Sequence, residues 1–489
     1  MFLFKKFVVL AMLFLMFSSA NATILPNANT QNEIKWQLLE LAIANFDKRF
    51  AVQFDKIAAS SKAKNLEKYA KAIEEGYFLV KSFREFYRTL PWDMKQNFNF
   101  KMPVVNINYN DIKLYEHRAL NGSLFNDVES LRPKVAFYND YRYFIREFLK
   151  TKDLNLPRYN YKVLHPGEVG EDIRTLKKVL KMLGYLSTSA KDNGTFDQKL
   201  FNAVVKFQKD NSLKPDGIVG YKTYRAMYLS NTEKAVALAR TILRLDDESL
   251  TLQNQTYVIV NLPEEMLHVY SNGASIIDSK VIIGKSKAKT PLLSSKINNV
   301  VFNPYWNVPK SIKKDYINSL RSDPLYLQKR GIDIVDSHLN VIDPLTINRN
   351  ELDYKKFRYL IRQKPGVDNA LGLYKFNFPN SYDVYLHSTS NPKLFSKEDR
   401  ALSSGCVRVE KSRELAEFLL QGTSFSPKVI QKLIDKGETK WAPLENRIPI
   451  FIAYWTAYIG YNKKIYFHDD IYSIDSKAKF LPYEIKKYF

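Results

Sequence analysis

The chain has 489 residues, 74 lysines and arginines against 51 aspartates and glutamates, a formal charge of +23, and one cysteine. That length exceeds a single hydrophobic core and predicts about two to four domains, while one cysteine excludes an internal disulfide. The positive excess is spread along the chain and no nucleic-acid motif is present, so no nucleic acid is expected as a partner; an acidic envelope polymer or an anionic membrane surface fits better, beside the plainer reading of a solvated lysine-rich surface.

In chain order, residues 1–22 read as an export signal. Lys5 and Lys6 form a positive start, Phe7 to Phe17 an apolar core, and Ala20-Asn21-Ala22 a small-x-small cleavage pattern. The apolar core is about eleven residues, short of the roughly 20 that span a bilayer. The mature protein is therefore expected to be exported and soluble, or held only peripherally, with its charge lowered from +23 to +21 by loss of two lysines and no acid. An uncleaved N-terminal anchor is the alternative.

Residues 23–160 are expected to be a helical scaffold domain. In "EEGYFLVKSFREFYRTLPW", Tyr77, Val80, Phe83 and Tyr87 share one helical face and read as core. Residues 161–232 predict a small module of three short helices. "GEDIRTLKKVLKMLGYL" places Ile173, Leu176, Leu180 and Leu183 on one face and stops at Gly184. "GTFDQKLFNAVVKFQKDNSL" repeats the pattern with Leu200, Ala203, Val204 and Phe207, and Asp216-Gly217 supplies a turn before the third helix.

From 254 to 489 the pattern turns to β. "TYVIVNLPEEMLHVYSNG" reads as two strands around a turn at Pro263-Glu264, and "SIIDSKVIIG" as a third. "NNVVFNP", "YDVYLH" and "RIPIFIAYWTAYI" predict further strands. Residues 310–362 between them form a polar, helix-prone insertion without strand alternation, either a lid over a site or a surface excursion.

The chemistry gathers in "VYLHSTSNPKLFSKEDRALSSGCVRVE". Acyl transfer by a thiol needs a nucleophile, a base, donors for an oxyanion and a group that orients the base. Cys406 is the sole thiol, and His387 closes the apolar run Val384-Tyr385-Leu386, where a strand can aim it. Gly405 permits close backbone approach, and backbone N–H groups near Cys406 are candidates for an oxyanion hole. Ser403 and Ser404 add short donors. Arg408, on the same face as Cys406 if the segment is extended, either binds a substrate carboxylate or lowers the thiol pKa. Against this stands a buried, inert cysteine with a satisfied core histidine. No metal is expected, because one cysteine and six scattered histidines show no ligand spacing. No G-x-S-x-G elbow is present for a serine nucleophile.

The stretch "YLHSTSNPKLFSKEDRALSSGCVRVE" resembles the active-site signature of L,D-transpeptidases with the YkuD-type catalytic fold, most of all their large, multidomain Gram-negative branch. "KTPLLSSKINNVVFNPYWNVPKSI", "RQKPGVDNALGLYKFNFPN", "FIAYWTAY" and "FHDDIY" extend the resemblance over most of residues 254–475, and "FDQKLFNAVVKFQKDNSLKPDGIVGYKT" resembles a three-helix peptidoglycan-binding domain. The resemblance implies a multidomain α+β fold: helical scaffold, peptidoglycan-binding module, and a mainly-β catalytic domain with a helical capping insertion at 310–362. It implies Cys406 as nucleophile and His387 as base, with Gly405, Ser404 and Arg408 supporting the site. Tyr385 is expected to face the same cavity, and Trp306 either to pack or to touch substrate. Many relatives carry histidine directly before the Gly-Cys pair where this chain has Ser404, as the large branch does, and the group that orients His387 is left unassigned.

The implied substrates are peptidoglycan stem peptides, a tetrapeptide donor and a diaminopimelate-containing acceptor, with release of D-alanine and a 3-3 cross-link. No cofactor is implied. Cell-wall synthesis proteins are conceivable partners and cell shape the affected trait. The same thiol resolved by water or a free D-amino acid gives an L,D-carboxypeptidase or an exchange enzyme, resolved by a protein lysine it gives protein anchoring, and an inactive cell-wall-binding scaffold is the reading from another class.

Overall fold

A computed structural model describes residues 23–247 and 256–476; the expected signal segment lies outside the described residues. The described residues divide into two compact units, one comprising 23–247 with 455–476 and the other 256–454.

The first unit is helical. Several of its helices start at side-chain caps: Asn27, Asp47 and Asn65 accept backbone N–H bonds at the first turns, and Asn108 with Asp111 and Ser230 with Glu233 close capping boxes. On the helix Leu66–Thr89, Tyr77, Val80, Phe83 and Tyr87 are all buried, as their spacing predicts. They share a core with the helices Ala28–Ala44, Tyr138–Lys150 and Asn231–Leu245. The helix Asn231–Leu245 follows the three-helix module in sequence, so that module is inserted within the scaffold.

The module itself has its own core around Ile173, Leu176, Leu180, Leu200, Val204 and Phe207. Its helices are Glu171–Met182, Gln198–Asp210 and Tyr221–Tyr228, and Gly184 after the first lies at φ 77°. Buried Gln208 organises the turn before the third helix, accepting from Gly217 N–H at 2.8 Å and donating to the Ile218 carbonyl at 2.8 Å. Gly217 is required there twice over: φ is +74°, and a Cβ would lie 2.0 Å from the Phe201 ring.

One boundary differs from the sequence reading. The segment 455–476, expected to finish the catalytic domain, belongs to the helical unit. Ala457 and Ile459 are buried in the helical core, and Tyr141 Oη accepts the Ile459 N–H at 3.0 Å. Arg244 is fully buried and pairs with Asp475 at 2.6 Å. The expected strand "RIPIFIAYWTAYI" therefore ends at Ala453, and Ala457–Ile459 pairs instead with Ile465–Phe467.

The second unit is a closed sheet with an insertion. Its strands are β1 (Tyr257–Asn261), β2 (Met266–Ser271), β3 (Ala274–Gly284), β4 (Leu293–Phe302), β5 (Trp306–Asn307), β6 (Ile332–Val335), β7 (Val341–Ile342), β8 (Leu360–Gln363), β9 (Tyr374–Asn377), β10 (Leu386–His387), β11 (Ala401–Ser403), β12 (Val407–Val409) and β13 (Lys440–Ala453). The main sheet runs β11-β3-β12-β10-β9-β4-β13-β1-β2, and β2 pairs back to β3, so the ladder closes and leaves few free edges. The helices Ser412–Leu419 and Pro427–Lys436 follow β12.

The insertion is not purely helical as expected. After the helix Lys310–Ser322 it builds a four-stranded sheet, β5-β8-β6-β7, over a separate core of Ile317, Leu320, Leu327, Ile332, Ile334, Phe357 and Ile361. Strands of two to four residues are too short for period-two alternation to stand out.

Candidate active site

The site is made by β10 and β12. They pair in parallel with Leu386 opposite Val407 and His387 opposite Arg408, between antiparallel neighbours β9 and β3. Leu386 and Val407 point into the core, each burial stabilising by about 1.5–3 kcal/mol. Alternation then turns Tyr385, His387, Cys406 and Arg408 to the opposite face. All four line one cavity of about 1150 Å³, together with Trp306, Ser403, Ser404 and Ser390. The insertion side contributes Pro309, Ile312, Tyr316, Lys329, Arg330 and Ile332.

The turn carrying Cys406 is fixed by hydroxyls. Ser403 Oγ donates to the Cys406 carbonyl at 2.6 Å and accepts the Gly405 N–H at 3.1 Å. Thr290 Oγ1 donates to the Gly405 carbonyl at 2.8 Å while accepting the Gly284 N–H at 2.9 Å. Gly405 sits at φ +126°, a conformation that side chains disfavour. The Gly405 N–H is thus occupied, and among the described residues the Ser404 and Cys406 N–H groups have no acceptor. The candidate oxyanion donors are therefore those of Ser404 and Cys406 rather than Gly405.

His387 is only 4% exposed. Burial, with Arg408 and then Lys375 nearby, pushes its pKa down to about 3, against the backbone groups of Ser388 and Leu371, which favour protonation. Its Nδ1 is buried without a hydrogen-bond partner. The backbone behind it is pinned: Ser388 Oγ donates to the Leu371 carbonyl at 3.0 Å and accepts the Tyr374 N–H at 3.0 Å. Gly372 leaves room for this contact, since a Cβ there would lie 2.3 Å from Ser388 Oγ.

Burial pushes the Cys406 thiol up; the Tyr385 backbone and hydroxyl, Lys375 and Arg408 pull the other way without prevailing. The sequence reading gave Arg408 the right sign and missed that desolvation wins. Burial and Cys406 likewise raise the Tyr385 phenol, with Trp306 opposing. No hydrogen bond joins Cys406 to His387 among the described residues; they are diagonal neighbours, His387 on β10 and Cys406 directly before β12. Trp306 packs edge-on to Tyr316 of the insertion at 6.1 Å and is 9% exposed, so it both packs and borders the cavity.

Every residue proposed from sequence thus comes to this cavity or to the turn beside it. Four contributors were missed. Thr290 and Gly372 lie in the stretches "KTPLL" and "ALGLYKF", Ser388 follows His387 directly, and Lys375 stands opposite His387 in the ladder. Only the pairing register distinguishes them.

Residues 255–430 match the family model of the L,D-transpeptidase catalytic domain, YkuD. This chain carries a YkuD-type L,D-transpeptidase catalytic domain. Residues 169–227 match a putative peptidoglycan binding domain. A putative L,D-transpeptidase of Haemophilus influenzae is 42% identical over 219 residues, covering 45% of this chain and 44% of that protein, so the match spans less than half of the relative. A probable CtpA-like serine protease of Staphylococcus epidermidis is 36% identical over 86 residues, 18% of this chain and 17% of that one. Among solved structures, an L,D-transpeptidase from Xylanimonas cellulosilytica covers 60% of this chain and 100% of its own at 13% identity and TM-score 0.19. One from Stackebrandtia nassauensis covers 59% and 94% at 16% identity and TM-score 0.20. Together the helical scaffold, the peptidoglycan-binding module and the YkuD-type domain make a multidomain α+β protein.

Proposed function

We propose that the protein is a periplasmic peptidoglycan L,D-transpeptidase that forms 3-3 cross-links through a Cys406 acyl-enzyme. The observation that carries this is the parallel β10–β12 pair, which sets Cys406, Tyr385, His387 and Arg408 on the wall of one cavity in a YkuD-type domain. His387, held neutral, takes the thiol proton as the sulfur attacks the carbonyl of the third stem residue. The oxyanion lies against the Ser404 and Cys406 N–H groups. Collapse breaks the bond to D-alanine, whose amine leaves with the proton from His387. The diaminopimelate side-chain amine of an acceptor stem then attacks the thioester, gives its proton to His387 and frees the thiol. Arg408 is the candidate partner for a substrate carboxylate. The binding module holds the enzyme on its polymer and raises effective concentration.

The test is incubation of the mature protein with disaccharide-tetrapeptide, followed by mass spectrometry, with Cys406→Ala as control. A cross-linked dimer with D-alanine release, absent in the variant, supports the reading. Tripeptide monomer alone makes it a carboxypeptidase, and binding to sacculi without turnover makes it a scaffold.

A further inference from the structure

Lys375 has no role in the mechanism above, yet it lies within the site. It stands opposite His387 in the antiparallel β9–β10 ladder, as Arg408 does on the other side, so the three project from one face of the sheet. Its Nζ is 4.0 Å from the centre of the Tyr385 ring. Tyr385 immediately precedes β10, level with Cys406 before β12, and its carbonyl accepts the Val407 N–H at 3.2 Å. Lysine ammonium, tyrosine ring and cysteine sulfur are therefore consecutive neighbours.

Lys375 is half-buried, and among the described residues no carboxylate lies within ion-pair distance of it. Desolvating an ammonium is costly, and a cation–π contact recovers only about 0.5–2 kcal/mol. The charge this lysine faces is that of the sulfur: burial lowers the Lys375 pKa, and a Cys406 thiolate is the first influence that raises it.

The groups around the sulfur leave this task to few candidates. His387 is neutral, so no imidazolium balances a thiolate. Tyr385 is a neutral phenol. Asp383, an acid, raises Lys375 and Tyr385 as a Cys406 thiolate does, after it in order of size, and so supplies no positive charge to the sulfur. The positive charges acting on the sulfur are Lys375 and Arg408.

We propose that Lys375 is a positioning residue that, through Tyr385 and its own charge, favours the reactive anionic form of the Cys406 sulfur against the cost of its burial, while Arg408 serves the substrate. The proposal rests on the reading of Cys406 as nucleophile, and its test requires no turnover. Because Cys406 is the sole thiol, its charge state is read directly by the rate of iodoacetamide alkylation of the whole mature protein across pH. In Lys375→Met the midpoint of that profile is expected to rise by about one pH unit, making alkylation at pH 8 about tenfold slower. Lys375→Arg, which restores the charge, is expected to return the rate to within about threefold of wild type. An unmoved midpoint in Lys375→Met, or a Lys375→Arg profile as displaced as that of Lys375→Met, overturns the assignment. If Lys375→Met lacks a native near-UV circular dichroism spectrum, the same titration of Lys375→Gln decides. A shifted midpoint in a protein that makes no cross-link leaves Lys375 assigned and removes only the transpeptidase reading.

Discussion

The helical core and the catalytic cavity treat buried charge in opposite ways. In the helical unit each buried cation meets an acid: Arg84, fully buried, lies 2.6 Å from Glu40 and 3.6 Å from Asp246, and Lys177 lies 2.9 Å from Asp197. In the catalytic unit the groups facing the cavity are left without acids. Arg408 Nε and His387 Nδ1 are buried without hydrogen-bond partners, and Lys375 rests on a ring. A charge set beside an acid specifies a packing arrangement, whereas one without an acid is held ready for a ligand or a reacting atom.

Substitutions break this contrast on either side. Cys406→Ala is expected to lower turnover by roughly 10⁴-fold or more while shifting Tm by no more than about 2 °C, read by product mass spectrometry and calorimetry. Arg84→Met leaves Glu40 and Asp246 buried without their cation, and urea unfolding should show a loss of about 3–5 kcal/mol. Arg408→Met, by contrast, should leave the urea midpoint nearly unchanged and lower kcat/KM by about 10–100-fold, the worth of a hydrogen bond to a charged group. Thr290→Val removes both bonds of the hydroxyl that fixes the Gly405 carbonyl. A loss of about 1–3 kcal/mol, with kcat falling more than KM rises, would mark a turn that must be held for catalysis.

The pH dependence sharpens the contrast further. His387 stays unprotonated at every pH above about 3, whereas the Cys406 thiol, raised by burial, gains thiolate as pH rises. The expected kcat/KM profile therefore climbs through neutral pH with the thiol and shows no histidine limb between pH 4 and 8. The smallest effect concerns His268, held between Asp278 at 2.6 Å and Glu264 at 3.2 Å. Burial opposes these bonds, yet they push its pKa up from 6.5 to about 10. A raised folded-state pKa stabilises fully below pH 6.5 and is lost as pH rises through about 10. His268→Gln should abolish the part of the Tm decline that wild type shows over that window.

Much of this was legible in sequence because the signals are local. Helical periodicity placed Phe83 and Phe207 in their cores, and the apolar run before His387 placed it on a strand beside the Cys406 turn. What escaped depends on partners far along the chain. Thr290 meets Gly405 across 115 positions, and Lys375 gains meaning only from the register that sets it opposite His387. The stretch from Ile448 to Ile459 is apolar throughout, so no change of pattern marks where the chain passes from one unit to the other; Arg244 and Asp475, which fix that assignment, are 231 positions apart.

That assignment has a genetic consequence. Because 252–454 is spliced between two parts of the helical unit, a stop codon falling soon after Tyr454 would spare every strand of the catalytic ladder. It would instead remove Ile459 from the helical core and strip Arg244 of Asp475. Premature termination near the C-terminus would be a lesion of the scaffold, and alleles of that kind should group in phenotype with those near the N-terminus rather than with changes around Cys406.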